Sequence, residues 1–137
     1  ASEDVGNADP QALSVGVAAA QAVERVGMPE AQIILSQAVL YVATAPKSNS
    51  AVNAISAAME NVRNYKTTVP AHLRDGHYQG AKKLGRSTGY RYAHDYPHHY
   101  VRQQYLPDEI LGTRFYEPGD NGKEKEIKAW MEYLKGE

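Results

Sequence analysis

The sequence predicts an all-α domain: a helical bundle, then an irregular tyrosine-rich segment, then a C-terminal helix. Three observations carry that prediction. Within residues 1–66, helix start and stop signals bracket three apolar or amphipathic runs. The apolar residues in the third of those runs recur at intervals of three and four rather than two. The same spacing returns near the C-terminus, in Ile127, Trp130, Met131 and Leu134. The chain therefore reads as one domain in three parts: a bundle core (1–66), a Tyr/His/Gly-rich segment (67–119) and a last helix (120–137).

The first helix starts at Asp9-Pro10, where Asp can cap and Pro fits the first helical position. It runs through LSVGVAAAQAVERV to Gly27, which suits the left-handed C-terminal position. Its lining of Gly16, Ala18, Ala19, Ala20 and Ala22 is small enough for close helix approach. The second helix spans Met28 to Pro46. Pro29 and Glu30 suit its first turn. Pro46 ends it by pushing Ala45 out of the helical region. Its apolar residues, Ile33, Ile34, Leu35, Ala38, Val39, Leu40, Tyr41, Val42 and Ala43, go nearly all the way round. A helix apolar on every side is expected to be buried on every side. It is thus either the centre of the bundle or partly covered by another subunit.

Ser48, Asn49 or Ser50 can each cap the third helix. There Val52, Ile55, Met59 and Val62 form one expected core face. Short connections make these three helices an antiparallel bundle. After Tyr65 the character changes. KTTVPAHLRDG reads as a linker, and His77 to Leu84 as a short helix. Residues 86–119 have no sustained period; short helical turns and a small ribbon at Thr113–Tyr116 are expected, with tyrosine rings buried on the bundle. Asp120 or Asn121 is the expected cap of the last helix.

Composition narrows the function. The 137 residues fit one domain large enough to need no staples. The chain has no cysteine, which excludes disulfides and thiolate metal sites and fits a reducing compartment. A net charge of -1 argues against a basic surface over the whole domain. No apolar run reaches membrane-spanning length, and ASEDVG is no signal peptide. The first residue is not Met, so the chain reads as a piece of something longer.

Several patterns invite a chemical reading. His94 and His98 have a helical metal-ligand spacing, with Asp95 and His99 nearby, but Pro97 breaks the helix that would align them. Gly85 and Ser87-Thr88-Gly89 beside Lys82, Lys83 and Arg86 do not match a nucleotide-binding GxxxxGK[ST] loop. Glu3, Asp4 and Asp9 lack calcium-loop spacing and read as helix-capping residues. No catalytic residue and no metal or cofactor site is assigned. A DNA-binding patch of Arg74, Lys82, Lys83, Arg86 and Arg91 remains a second reading, with Arg102 beside it and Tyr90, Tyr92 and Tyr96 to stack on bases.

ASEDVGNADPQAL, VGMPEAQIILSQAVLYVATAPKSNSA, VPAHLRDG, GYRYAHDY and QQYLPDEILGTRFYEP follow one another in this order. Together they resemble the C-terminal region of the MgsA/RarA family of bacterial replication-associated recombination ATPases, which is related to the eukaryotic Werner-helicase-interacting ATPase. SEDxGxADP, APKS and VPxHLR are the specific elements, and the match weakens after Pro118. The resemblance implies a helical domain similar to the collar of clamp loaders. It implies a non-catalytic fragment that holds AAA+ ATPase modules together as a homotetramer. ATP, Mg, DNA and replication-fork proteins then belong to the parent protein, in the cytoplasm at the nucleoid. Further helical sequence and the ATPase are expected ahead of Ala1. Among the residues read above, Ile33, Ile34, Val39, Leu40 and Tyr41 are the candidate contacts between chains, because one bundle face cannot cover them all.

Overall fold

Pro10 and Asp9 set the first helix, as local chemistry requires. In the computed structural model, which describes residues 1–74 and 89–136, α1 spans Gln11–Val26. Asp9 Oδ1 accepts from the Gln11 backbone N–H at 3.1 Å. Gly27, with φ of 72°, ends the helix and its N–H donates to the Val23 carbonyl. α2 follows at Ala31–Thr44 and stops where Ala45 turns extended before Pro46. α3 is Ser50–Asn64 and α4 is Glu124–Lys135. Short 3-10 turns lie at Ala71–Leu73, Ala93–Asp95, Pro97–His99 and Asp108–Ile110. The helical class and the positions of the four long helices agree with the sequence. The expected helix at His77–Leu84 lies outside the described residues.

The chain forms two compact units. The first is Ala1–Ala57 with Phe115–Glu132, and the second is Ala58–Arg114 with Tyr133–Glu137. In the first unit α1 and α2 pack along each other. Ala18, Ala19 and Ala22 face Ile34 and Ala38 across the seam, so the small residues do let the two backbones approach. The core is the N-terminal motif itself. Val5 and Ala12 are fully buried with Ala45, and Tyr41 and Val42 pack against them.

Four expectations need correction. First, α2 is not buried all round: Ala31 is its one buried residue, while Ile33 is 72% exposed, Val39 64% and Leu40 61%. Second, α3 does not present Ile55, Met59 and Val62 to a core; all three are exposed. α1 and α2 are the two long helices that pack closely along each other. At the start of α3, Ser48 and Ser50 are tied to Glu124 and so to the C-terminal segment. Third, Thr113–Tyr116 is extended chain, and there is no strand among the described residues. Tyr90, Tyr92 and Tyr105 are about half exposed, because their segment packs by side-chain-to-backbone hydrogen bonds instead of ring burial. Fourth, neither Asp120 nor Asn121 caps α4 with its side chain. Asp120 pairs with Lys128 at 2.8 Å, and Asn121 donates to the Lys47 carbonyl at 3.0 Å.

One glycine is fixed by space as well as by conformation. Gly122 has φ of 53°, and a Cβ there would sit 2.2 Å from the Ala8 carbonyl oxygen and 2.6 Å from Pro46 Cγ. Ala8 is held, since its carbonyl oxygen accepts from the Lys123 N–H at 2.8 Å. Gly122→Ala is expected to destabilise the chain by about 2 kcal/mol, from the left-handed backbone plus the clash. Thermal denaturation followed by circular dichroism checks it; an unchanged midpoint would show that the turn relaxes.

Candidate functional site

α2 offers three different sides. Ile33, Leu40 and Tyr41 share one shallow groove with Gln37 and Thr44, as residues three, four, seven and eight apart must on a helix. Ile34 lies on the α1 seam. Val39 is exposed away from both. The five candidate contact residues are thus not one patch. Ile33 and Leu40 present open apolar surface together, and Ile34 is engaged within its own chain. Tyr41 is half-buried. Its hydroxyl donates to Asp9 Oδ2 at 2.8 Å, so Asp9 ties α2 to the start of α1. That hydrogen bond, reinforced by burial and by the Asp9 charge, pushes the Tyr41 phenol above its ordinary value of 10.0.

The specific sequence elements meet at a junction beyond the end of α2. Lys47 Nζ donates to the Val42 carbonyl at 2.8 Å, to Ala43 at 3.1 Å and to Ala45. These are the carbonyls that a helix end leaves without partners. Ser48 N–H donates to the Asp4 carbonyl at 2.8 Å, which draws the N-terminal motif in. Glu124 is fully buried below. Ser48 Oγ donates to its Oε2 at 2.5 Å and Ser50 Oγ to its Oε1. The Tyr116 hydroxyl adds a bond at 3.1 Å and the Gly119 N–H one at 3.0 Å. Burial pushes the Glu124 carboxyl up, but these donors outweigh it and hold the group below its ordinary value of 4.5. The junction is a joint between segments rather than a reaction centre, since every acceptor position of the carboxylate is taken by the fold.

The candidate DNA-contacting residues fall in the second unit. Lys82, Lys83 and Arg86 lie outside the described residues. Arg74 Nε donates to the Val69 carbonyl at 2.7 Å. The Arg91 guanidinium is engaged by its own chain: it donates to the Tyr96 hydroxyl at 3.1 Å and the Arg102 carbonyl at 3.0 Å, and lies 5.0 Å from the Tyr96 ring centroid. His94 and His98 are not brought together. The His94 ring lies tilted against those of Tyr92 and His99, with centroids 5.0 and 4.9 Å away, and His98 meets the Tyr133 hydroxyl at 3.1 Å. Among the described residues no group of three or more His, Asp or Glu is placed to hold a metal. Among them, too, no helix is long and apolar enough to cross a membrane.

Sequence reasoning missed two residues, Glu124 and Gln103. Glu124 reads as an ordinary first-turn acid, and only the GDNG turn beside it hints at a close approach. Gln103 donates through Nε2 to the Arg91 carbonyl at 2.8 Å and accepts the Arg91 N–H at 3.2 Å through Oε1. It replaces a strand partner at that point, and no sequence pattern announces such a role.

Comparison with known proteins agrees with the motifs at the junction. A family model described as MgsA AAA+ ATPase C terminal matches residues 1–135. An uncharacterized AAA domain-containing protein of Mycobacterium tuberculosis is 52% identical over 98% of this chain and 30% of its own length. The replication-associated recombination protein A of Bacillus subtilis is 48% identical over 88% of this chain and 29% of its own. The Escherichia coli protein of the same name is 42% identical over 98% and 30%. The chain therefore spans less than a third of the length of these relatives.

Proposed function

The chain belongs to the MgsA AAA+ ATPase C-terminal family, and from that premise we propose that it is the non-catalytic assembly module of a longer ATPase. Four copies associate through apolar helix surface, which raises the local concentration of the tethered ATPase domains. The parent protein hydrolyses ATP with Mg in those domains and acts on DNA in replication, recombination and repair at stalled forks. Its partners are itself, DNA and replication-fork proteins, in the cytoplasm at the nucleoid.

The observation that supports assembly is the exposed side of α2. Ile33 and Leu40, 72% and 61% exposed, line one groove on a helix with no charged residue from Ala31 to Thr44. Apolar surface costs about 25 cal/mol for each Å² left in water. A contiguous apolar patch on a soluble chain marks an interaction surface more often than chance. Symmetric pairing of identical grooves covers them two copies at a time, so four copies need a second contact as well, and a stable interface needs about 1,000 Å² or more. Light scattering at tens of micromolar is expected to give about four times the chain mass of 15.1 kDa. A single-chain mass at that concentration would refute the proposal.

A further inference from the structure

Of the six asparagines in the chain, one, Asn121, is followed by glycine. Asparagine is a thermolabile side chain, because the backbone nitrogen of the next residue can attack its amide carbon. A glycine in that next position has no side chain to hinder the approach. The Asn121-Gly122 pair lies in the turn that joins the C-terminal segment to the end of α2, within the first unit. Both residues are exposed, so water reaches them. Among the described residues the Gly122 N–H donates to no partner, which leaves its nitrogen open to react.

The same turn is held on every side. Asn121 Nδ2 donates to the Lys47 carbonyl at 3.0 Å. The Asn121 carbonyl accepts from the Glu124 N–H at 3.2 Å, and the Lys123 N–H donates to the Ala8 carbonyl at 2.8 Å. Gly119 N–H is fixed to Glu124 Oε2 at 3.0 Å. Gly122 fits so closely that a Cβ on it would sit 2.2 Å from the Ala8 carbonyl oxygen and 2.6 Å from Pro46 Cγ. Attack requires Asn121 Cγ to swing over the Gly122 nitrogen, and the bond to Lys47 opposes that swing. The reactive geometry therefore belongs to local openings of the turn.

We propose that Asn121 is a spontaneous modification site: its deamidation through a succinimide opens the junction, and the closed junction restrains the reaction. The Gly122 nitrogen forms a bond to Asn121 Cγ. The Cγ–Nδ2 bond breaks, and Nδ2 leaves as ammonia with the proton from Gly122. Water then opens the cyclic imide. Breaking its bond at Cγ gives aspartate. Breaking its bond at the Asn121 backbone carbonyl carbon gives isoaspartate, with the chain running through Cβ and Cγ. Water is the co-reactant, and nothing is oxidised or reduced. Either product lacks Nδ2, so the Lys47 carbonyl loses its donor. Either carries a new carboxylate in a segment that already holds Asp120 and the buried Glu124. Isoaspartate also lengthens the backbone of a turn that has no room against Ala8 and Pro46. The junction then cannot close again, and the end of α2 and the start of α3 lose their common tie. The site is independent of the assembly groove on α2.

The test is incubation of the whole chain at mildly alkaline pH and physiological temperature, folded and in urea, followed by digestion and mass mapping. Isoaspartate is detected separately, by transfer of a labelled methyl group with a carboxyl methyltransferase specific for the β-linked residue. In the folded chain Asn121 is expected to convert before Asn7, Asn49, Asn53, Asn61 and Asn64. In urea the same residue should convert about tenfold faster or more, since the restraint is gone. Converted chain, separated by anion exchange, should have a lower thermal midpoint than unconverted chain, and Asn121→Asp should be lowered in the same direction. Earlier conversion of another asparagine in the folded chain would overturn the site. So would an Asn121 that stays intact for about a hundred half-lives of the unfolded reaction. Equal rates with and without urea would overturn the restraint, and an unchanged midpoint in the converted chain would overturn the opening of the junction.

Discussion

Glu124→Ala is expected to lower stability by about 3 kcal/mol, among the larger effects of any single side chain here. The carboxylate is fully buried and receives Ser48, Ser50, Tyr116 and the Gly119 N–H. Hydrogen bonds to a charged acceptor contribute about 1.5–3 kcal/mol each, and donors stranded by its loss cost about 1–3 kcal/mol apiece. The sum overstates the loss, because the cavity can admit water that satisfies part of the set. Glu124→Gln keeps the shape but places an amide donor among four donors, so it should be destabilising as well. Thermal midpoints by circular dichroism check both variants. A wild-type midpoint in Glu124→Gln would mean that the carboxylate charge is not what the donors hold.

The same group sets a dependence on pH. Its folded value lies below its ordinary 4.5, because the four donors favour the charged form more than burial opposes it. A depressed carboxyl stabilises the fold above its unfolded value and loses that contribution as pH falls through the folded one. The wild-type advantage over Glu124→Gln should therefore be full near neutrality and shrink below about pH 4.5. A gap that stays constant down to about pH 3 would sink this account.

What the sequence made legible was local. Asp9-Pro10, Gly27 and Ala45-Pro46 act through their own backbone, so α1 and α2 start or stop within a few residues of where those signals place them. Asp120 and Asn121 carry equally good local signals but did not cap α4. Their side chains found tertiary partners in Lys128 and Lys47, and such competition cannot be read from neighbours in the chain. Periodicity fares similarly. It identified Ile55, Met59 and Val62 as one apolar face of α3, but it does not say what covers a face, and among the described residues all three stay exposed. Glu124 was invisible because its four partners come from positions 48, 50, 116 and 119, segments far apart in sequence. APKS and SEDxGxADP were recognisable as patterns before their reason was visible. The reason is that Lys47 and Ser48 close the end of α2 while Val5 and Ala8 fill the space beneath.

The uncovered side of α2 leads to the other large expectation. In Ile33→Asp/Leu40→Asp the scattering mass is expected to fall from four chains to two or fewer, with helical content intact. Both residues are exposed within the chain, so the substitutions remove no intrachain packing of consequence. In an assembly each side chain would give up about 1.5–3 kcal/mol of burial, and an unpaired carboxylate would have to be desolvated in its place. Across a two-fold contact every loss counts twice. A total beyond about 5 kcal/mol weakens association by more than a thousandfold. Ile34→Asp is the matched contrast. Ile34 sits on the seam with Ala18, Ala19 and Ala22, so a charge there should lower the thermal midpoint itself. Val39→Asp probes the third side, and reduced mass there too would widen the interface beyond the groove. If Ile33→Asp/Leu40→Asp keeps the wild-type mass, the groove is not the contact, and the exposed residues of α3 become the next surface to test.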